Sequence, residues 1–287
     1  MNKPRAAALA MIILAVSVRQ GALYAAATDD FLAAAGEGNL PGMEAALAAG
    51  ADINARDGDG ATVLMESSFK GSADIVSLLL RKKAEVNARD PRGKTAIMRA
   101  VDGGSGDIVK LLIPAGADVS AEDKDGMTPL MRAAAGGYAE IMDALIHAGA
   151  RVNDRDKYGR SGLAYAVAAG YPETVRLLVK QGAHVNASDS YGRTPLMEAS
   201  NAGVAEIAGI LLAAGARINA KIGSGDMSGM DSLMLAAQNG HVELVRLLVQ
   251  NKADVNAKDA LGQTALVKAT IYGFPEIVAI LKDAGAK

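Results

Sequence analysis

The sequence predicts an all-α repeat protein, a solenoid of stacked helix-turn-helix units joined by β-hairpin-like turns. Three observations support this fold class. The 287-residue chain repeats itself every 33 residues, each period holds two short apolar segments, and the only aromatic residues are seven Tyr and three Phe. Helices this short are unstable alone. One unit also cannot bury its apolar face, so neighbouring units must stack into a continuous core.

The period is set by an Asp-x-x-Gly segment that returns throughout the chain. Successive aspartates are 33 residues apart, except for one interval of 37, and they are Asp57, Asp90, Asp123, Asp156, Asp189, Asp226 and Asp259. An asparagine keeps the same spacing at Asn54, Asn87, Asn153, Asn186, Asn219 and Asn256, with Ser120 in the one remaining place. The four extra residues fall in the Gly- and Ser-rich stretch 221–228, which predicts a lengthened loop.

The unit that begins at Asp189 shows how each period is built. Its Asp-x-x-Gly segment is typical of a turn, because glycine tolerates positive φ. Thr194 is a predicted helix N-cap and Pro195 is the first helical residue, where the missing N–H costs nothing. This first helix is expected to stop at Gly203. A second helix follows over Ala205–Ala213 and ends at a C-terminal glycine.

These segments resemble the ankyrin repeat. The resemblance is carried by two Thr-Pro-Leu starts (residues 128–130 and 194–196), by the helix segment 240–248 (Gly-His-Val-Glu-Leu-Val-Arg-Leu-Leu) and by the Gly-Ala-Arg-Val-Asn segment 149–153. It implies an ankyrin solenoid with seven repeats after an atypical N-terminal capping repeat at 28–56. The expected repeats are 57–89, 90–122, 123–155, 156–188, 189–225 with the loop insertion, 226–258 and a shortened 259–287.

The sequence departs from the family pattern in two ways. The family usually has a hydrogen-bonding His after the Thr-Pro-Leu start. Here that place holds Met65, Met98, Met131, Ala164, Met197, Met234 and Val267. In addition, Lys83 and Lys252 replace the glycine that ends the second helix. We expect thioethers at the inter-repeat positions and locally weakened ends in two repeats.

The N-terminus predicts a signal peptide over residues 1–27. Lys3 and Arg5 precede the apolar run Ala6–Val18, and Ala25-x-Ala27 matches the pattern that signal peptidase cleaves. The run spans about 20 Å as a helix, short of a bilayer's ~30 Å core, so no membrane span is expected after cleavage. The Ala-rich signal and the absence of Cys favour a bacterial protein that is periplasmic or secreted.

Charge and composition argue against catalysis and nucleic-acid binding. The net charge is −2, and the loss of Lys3, Arg5 and Arg19 with the signal peptide would make it −5. The three histidines are scattered, and no spacing suits a metal site. The loop 223–229 is rich in glycine, but it has neither the preceding strand nor the lysine of a phosphate-binding loop. We expect no enzyme activity, no cofactor, no metal site and no nucleic-acid partner.

The family resemblance implies a concave surface, made from turn tips and first helices, that binds a protein partner. The residues expected there are Phe69, Lys70, Arg92, Lys94, Tyr158, Arg160, Tyr191, Arg193, Met227, Met230, Leu261, Ile271 and Tyr272. Tyr and Arg are also residues that carry interface energy. Tyr138, Tyr171 and Phe274 follow a helix-terminating glycine and are expected to be packing residues, whereas Tyr165 fits either role.

Three functions fit this pattern. The first is a non-catalytic protein-interaction scaffold in the bacterial periplasm. The second is an inhibitor or immunity protein that blocks a toxin or envelope enzyme. The third is a structural protein that self-associates through its terminal repeats, so the chain is expected to be a monomer or to self-associate weakly. Function depends on the contacts that the surface makes, and the sequence names no partner.

Overall fold

Paired helices make up the regular structure of the computed structural model, which describes residues 21–287. The chain divides into two compact units at Asp118. The first unit contains α1 (described over residues 21–37), α2 (Leu40–Ala48), α3 (Val63–Lys70), α4 (Ala73–Arg81), α5 (Ala96–Asp102) and α6 (Gly106–Leu112). No β-strand occurs in the described residues, so the predicted all-α repeat fold is confirmed.

The second unit continues the same helix-turn-helix pattern from Val119 to Lys287. Its helices are α7 (Pro129–Gly136), α8 (Ala139–His147), α9 (Gly162–Ala169), α10 (Pro172–Lys180), α11 (Pro195–Ala202), α12 (Ala205–Ala213), α13 (Ser232–Gln238), α14 (Val242–Gln250), α15 (Ala265–Ile271) and α16 (Pro275–Asp283). The turns before α3 and α9 each close with an isolated antiparallel bridge, Arg56 to Thr62 and Arg155 to Ser161. These bridges give the turns their hairpin form.

Helix α11 begins and ends where the sequence predicts. Pro195 is its first residue, and the Thr194 hydroxyl accepts a hydrogen bond from the backbone N–H of Met197 at 3.4 Å. Gly203 ends the helix with a φ of 76°, in the left-handed region that favours glycine. The following helix α12 covers the predicted Ala205–Ala213.

The five methionines that replace the family's histidine are buried. In two repeats the Met sulfur also accepts a hydrogen bond from a backbone N–H. The backbone N–H of Thr62 points at the Met65 sulfur at 3.5 Å, and that of Thr194 at the Met197 sulfur at 3.3 Å. Both bonds help to cap a first helix, while the rest of each side chain is buried in the interior.

The recurring asparagines connect consecutive repeats. Asn153 is representative: its Oδ1 accepts the backbone N–H of His184 at 2.8 Å, and its Nδ2 donates to the carbonyl of Gly182 at 3.1 Å. Asn87 makes the equivalent two bonds in the first unit. Each such amide satisfies backbone groups at the end of the next repeat's second helix, which explains the period of the asparagine in the sequence.

Lysine stands in a left-handed conformation at both places where it replaces the helix-ending glycine. The φ values are 64° for Lys83 and 66° for Lys252, and these are the only non-glycine residues with positive φ in the described part of the chain. A side chain in this region costs roughly 1–2 kcal/mol. The predicted local weakening therefore has a physical cause at both helix ends.

Asp226 departs from the predicted pattern, because it is exposed and does not begin a hairpin turn. Ile222 takes that place, with its backbone N–H donating to the Met230 carbonyl at 2.9 Å. The helix α13 is capped by Asp231, whose carboxylate accepts the N–H of Met234 at 2.9 Å. The extra residues are therefore contained in the hairpin tip 223–229, which confirms a lengthened loop and corrects the role assigned to Asp226.

The predicted signal peptide lies mostly outside the described residues. Of its 27 residues, only 21–27 are described, and they belong to α1. Ala27, at the predicted cleavage site, is buried within this helix, and the hydroxyl of Thr28 accepts the N–H of Asp52 at 3.1 Å. No helix among the described residues is long and apolar enough to span a membrane.

Buried methionines predict sensitivity to oxidation. A sulfoxide at Met65, Met98, Met131, Met197 or Met234 would place a polar group in the interior, at about 1–3 kcal/mol for each unpartnered group. We expect forced peroxide treatment to lower the melting temperature, and the variant with all five changed to Leu to be largely protected. As a control, changing only the half-buried Met227 to Leu should leave the sensitivity intact. Equal losses in both variants would contradict the prediction.

Candidate functional site

A carboxylate organises every described hairpin turn except the one that begins at Ile222. In the turn that begins at Asp189, Oδ1 accepts the backbone N–H groups of Tyr191 and Arg193, both at 2.9 Å. Equivalent pairs of bonds occur at Asp57, Asp90, Asp123, Asp156 and Asp259. The aspartate therefore fixes the residues two and four places later, which are predicted binding positions.

In five of these turns the second carboxylate oxygen lies beside a cation. Asp189 Oδ2 lies 2.8 Å from an Arg193 guanidinium nitrogen, and Asp156 Oδ2 lies 3.0 Å from one of Arg160. The Tyr165 hydroxyl also donates to Asp156 Oδ2 at 2.6 Å. Tyr165, which fitted either role from the sequence, therefore supports the turn and positions Arg160.

Each of these arginines also stacks on aromatic rings. The guanidinium carbon of Arg160 lies 5.0 Å from the ring centre of Tyr158 and 4.6 Å from that of Tyr165. Arg193 lies 5.3 Å from the Tyr191 ring. Such cation–π contacts, together with the carboxylate, hold the long arginine side chains in one arrangement. Tyr158 and Tyr191 are nevertheless each 52% exposed, so both rings are accessible to a partner while an arginine stacks on each of them.

The two Tyr–Arg pairs are neighbours in the second unit. The backbone N–H of Ser190 donates to the Tyr158 carbonyl at 2.9 Å, and that of Gly223 donates to the Tyr191 carbonyl at 3.0 Å. A groove follows between the Tyr191 turn and the loop 223–229, lined by Tyr191, Arg193, Ile222, Ser224, Gly225, Asp226 and Met227. We call Tyr158, Arg160, Tyr191, Arg193 and Met227 the Tyr–Arg surface.

The last repeat supplies an apolar group of predicted residues. Leu261 is 79% exposed, Ile271 is 62% exposed and Tyr272 is 55% exposed. A hydrogen bond from the N–H of Ala260 to the carbonyl of Ser228 at 3.1 Å connects this repeat's turn to the lengthened loop. Met230, in contrast, is only 3% exposed, because its backbone pairs with Ile222 and the side chain turns inward. The expectation that Met230 is exposed is wrong.

The first unit contains the other four predicted residues. Phe69 and Lys70 are exposed at the end of α3, and Arg92 is exposed at a turn tip. Lys94 is half-buried, and its ammonium binds Asp102 Oδ2 at 2.7 Å, so its charge is satisfied within the protein. Phe69 lies 5.9 Å from the Arg99 guanidinium carbon. All of these residues remain predictions as binding positions.

The neighbouring packing residues behave as expected. Tyr171 lies against Gly137 of the preceding repeat, and Phe274 lies against Gly240, so close that a Cβ on either glycine would collide with the ring. Tyr138 lies over Gly136 in its own repeat instead of against a preceding one. Close ring–glycine contacts join repeats at the turn between the two helices, away from the hairpin tips.

Electrostatics of the aspartates depend on their partners. Burial raises the pKa of Asp156, but the Tyr165 hydroxyl, two backbone N–H groups and Arg160 outweigh it, so the pKa lies below its usual range. The same balance, with Lys268 as the cation at 2.9 Å, lowers the pKa of Asp259. Asp231 is the opposite case, because burial outweighs its backbone hydrogen bonds and raises its pKa. Burial and the Asp156 acceptor raise the pKa of Tyr165.

Comparison with known proteins identifies the family. The model for ankyrin repeats (three copies) matches residues 31–123, 84–156, 130–222 and 220–287, so the chain belongs to the ankyrin repeat family. Two similar relatives are the mouse and rat ankyrin repeat and SAM domain-containing protein 6, 49% and 48% identical over 59 residues. Each match covers 20% of this chain and only 7% of the relative. Among the described residues, no group of three or more His, Asp or Glu side chains could hold a metal ion.

Two aspartates should respond to pH in opposite directions. Asp156 has a lowered folded pKa, so it stabilises the fold above its unfolded pKa of about 3.9 and this stabilisation is lost as pH falls. Asp156→Asn should therefore lower the melting temperature at pH 7 more than at pH 3.

The raised pKa of Asp231 means that its ionised form destabilises the fold at neutral pH. Asp231→Asn keeps an N-cap acceptor and should therefore raise the melting temperature at pH 7 but not at pH 3. Melts across this range test both, and equal behaviour of the two variants would contradict the assignment.

Proposed function

We propose that this ankyrin repeat protein is a non-catalytic binding protein that holds a protein partner on the Tyr–Arg surface. One observation carries the proposal: two exposed tyrosines are held in place by arginines, which are themselves fixed by buried turn carboxylates. Tyr and Arg dominate binding energy at interfaces, and ordering them in advance reduces the entropy lost on association. The arginines are neutralised locally, so the surface favours a mixed apolar and polar partner over a strongly acidic one.

The lengthened loop and Tyr191 border a groove, and we propose that a segment of the partner binds in it. Met227 is half-buried at the edge of this groove, and its thioether can adapt to different shapes. A protein segment inserted here would contact the loop 223–229 and Tyr191 together. A bound toxin or envelope enzyme blocked by such contacts would make the protein an inhibitor; a bound partner that stays active would make it a scaffold.

Self-association is a second candidate, favoured by the exposed apolar residues of the last repeat. Leu261, Ile271 and Tyr272 lie on a repeat of the same unit, and apolar exposure of this kind marks interaction sites. Light scattering of the wild type and of Leu261→Ser with Ile271→Ser tests this candidate. A mass that grows with concentration in the wild type only would support it.

Partner binding should depend on the two exposed tyrosines. A photo-crosslinking residue placed at Tyr158 or Tyr191 is expected to capture one protein, and the Tyr158→Ala with Tyr191→Ala variant should bind that protein at least tenfold more weakly. The melting temperature should change little, because both rings lie outside the buried interior. Tyr138→Ala is the matched control: it removes a partly exposed tyrosine from a packing position, so it should cost stability and leave binding unchanged. The reverse pattern would refute the Tyr–Arg surface.

We further propose that the protein is exported to the periplasm of a bacterium, or secreted, after cleavage near Ala27. The basic start, the apolar run and the Ala-x-Ala segment support this. Mass spectrometry of the protein from its source cells should find a mature N-terminus at Thr28. Recovery of the intact chain from the cytosol would contradict export while leaving the binding surface unaffected.

A further inference from the structure

A cleft of about 420 Å³ opens in the first unit between α1 and α3. Its apolar lining includes Leu32, Val63 and Ile75, and its acidic lining includes Glu37, Asp57 and Glu66. The cleft is large enough for two side chains of a polypeptide, and it combines an apolar part with carboxylates. This combination is typical of a site for an apolar group next to a positive charge.

Asp57 differs from the other turn aspartates because its second carboxylate oxygen has no cation of the described residues beside it. At the five equivalent turns a cation lies within 4 Å of the carboxylate: Arg99 for Asp90, Arg132 for Asp123, Arg160 for Asp156, Arg193 for Asp189 and Lys268 for Asp259. These cations come from four or nine places after the aspartate. For Asp57 those two places hold Ala61 and Glu66, and no cation of the described residues comes within the same distance.

The other charged residues of the cleft do not supply a cation to the Asp57 carboxylate. Glu66 is already paired with Arg99 at 2.8 Å. Glu37 is exposed at the edge of the cleft and adds negative charge, and the Lys70 ammonium lies beyond salt-bridge distance of both carboxylates. The cleft therefore reaches Asp57 and Ala61 without a cation from the described part of the chain beside the carboxylate.

We propose that this cleft binds an arginine side chain of a partner polypeptide, with an adjacent apolar residue of the partner packed on Leu32, Val63 and Ile75. The chain itself provides the template, because an arginine lies beside four of the other five turn aspartates. The planar guanidinium suits a carboxylate better than an ammonium does, since it donates two parallel hydrogen bonds. The site is independent of the Tyr–Arg surface, which lies wholly in the second unit.

The probe for this site is N-acetyl-leucyl-arginine amide, added to the full-length protein with labelled methyl groups. We expect saturable NMR shifts at the methyls of Val63 and Ile75, and none at Val175, a buried residue of the second unit. The matched probe with citrulline in place of arginine keeps the shape but lacks the charge, and it should bind about tenfold more weakly. Equal affinity of the two probes, or no saturable shift, would overturn the proposal.

Variants test the contribution of the Asp57 carboxylate to binding separately from that of the rest of the cleft. Asp57→Asn keeps an acceptor for the turn and should weaken the arginine probe about tenfold, whereas Asp189→Asn changes the equivalent turn of the second unit and should have no effect. Ala61→Arg places an arginine where Arg160 and Arg193 stand, so it should abolish probe binding and raise the melting temperature. Unchanged affinity in Asp57→Asn would refute the site. The Tyr158→Ala with Tyr191→Ala variant should bind the probe normally, which keeps this test separate from that of the proposed function.

Discussion

The aspartate that begins most of the hairpins controls both the local chain and the surface. One oxygen accepts two backbone N–H groups and thereby sets the turn, while the other oxygen orients a cation from the turn or from the first helix. Burying a carboxylate is unfavourable unless it is hydrogen-bonded and paired. Most of these aspartates are satisfied in this way, and the arginines that satisfy them become fixed parts of the candidate binding surface.

The stacking of repeats depends on contacts between consecutive repeats. Buried methionines fill the interior, asparagine amides join consecutive helix ends, and hairpin carbonyls accept N–H groups from the next turn. In such repeat proteins, stability is approximately a sum of nearest-neighbour terms. A local defect such as the left-handed Lys83 therefore weakens one junction and leaves the others unchanged.

Much of this architecture could be predicted from the sequence, because it depends on local rules. The Thr194–Pro195 start, the glycine ends and the period require only turn and capping chemistry. The prediction for Asp226 is wrong because spacing alone cannot show which residue of a lengthened turn begins the hairpin. The prediction for Met230 is wrong for the same reason. The hydrogen bond between Tyr165 and Asp156, nine residues earlier, depends on where the first helix lies relative to the turn. The sequence indicates this pairing only when the residues nine places after each turn aspartate are compared.

The loop 223–229 also shows how such a protein can diversify. Four additional residues enter the hairpin tip, yet Ile222 still pairs with Met230 and Gly223 still bonds to Tyr191. The entropy of closing a loop rises only slowly with its length, so the insertion costs the fold little. Selection can therefore vary the tips for new ligands while the helices beneath them keep the same sequence pattern. At this loop, residues can be added for recognition without changing the residues that close the hairpin.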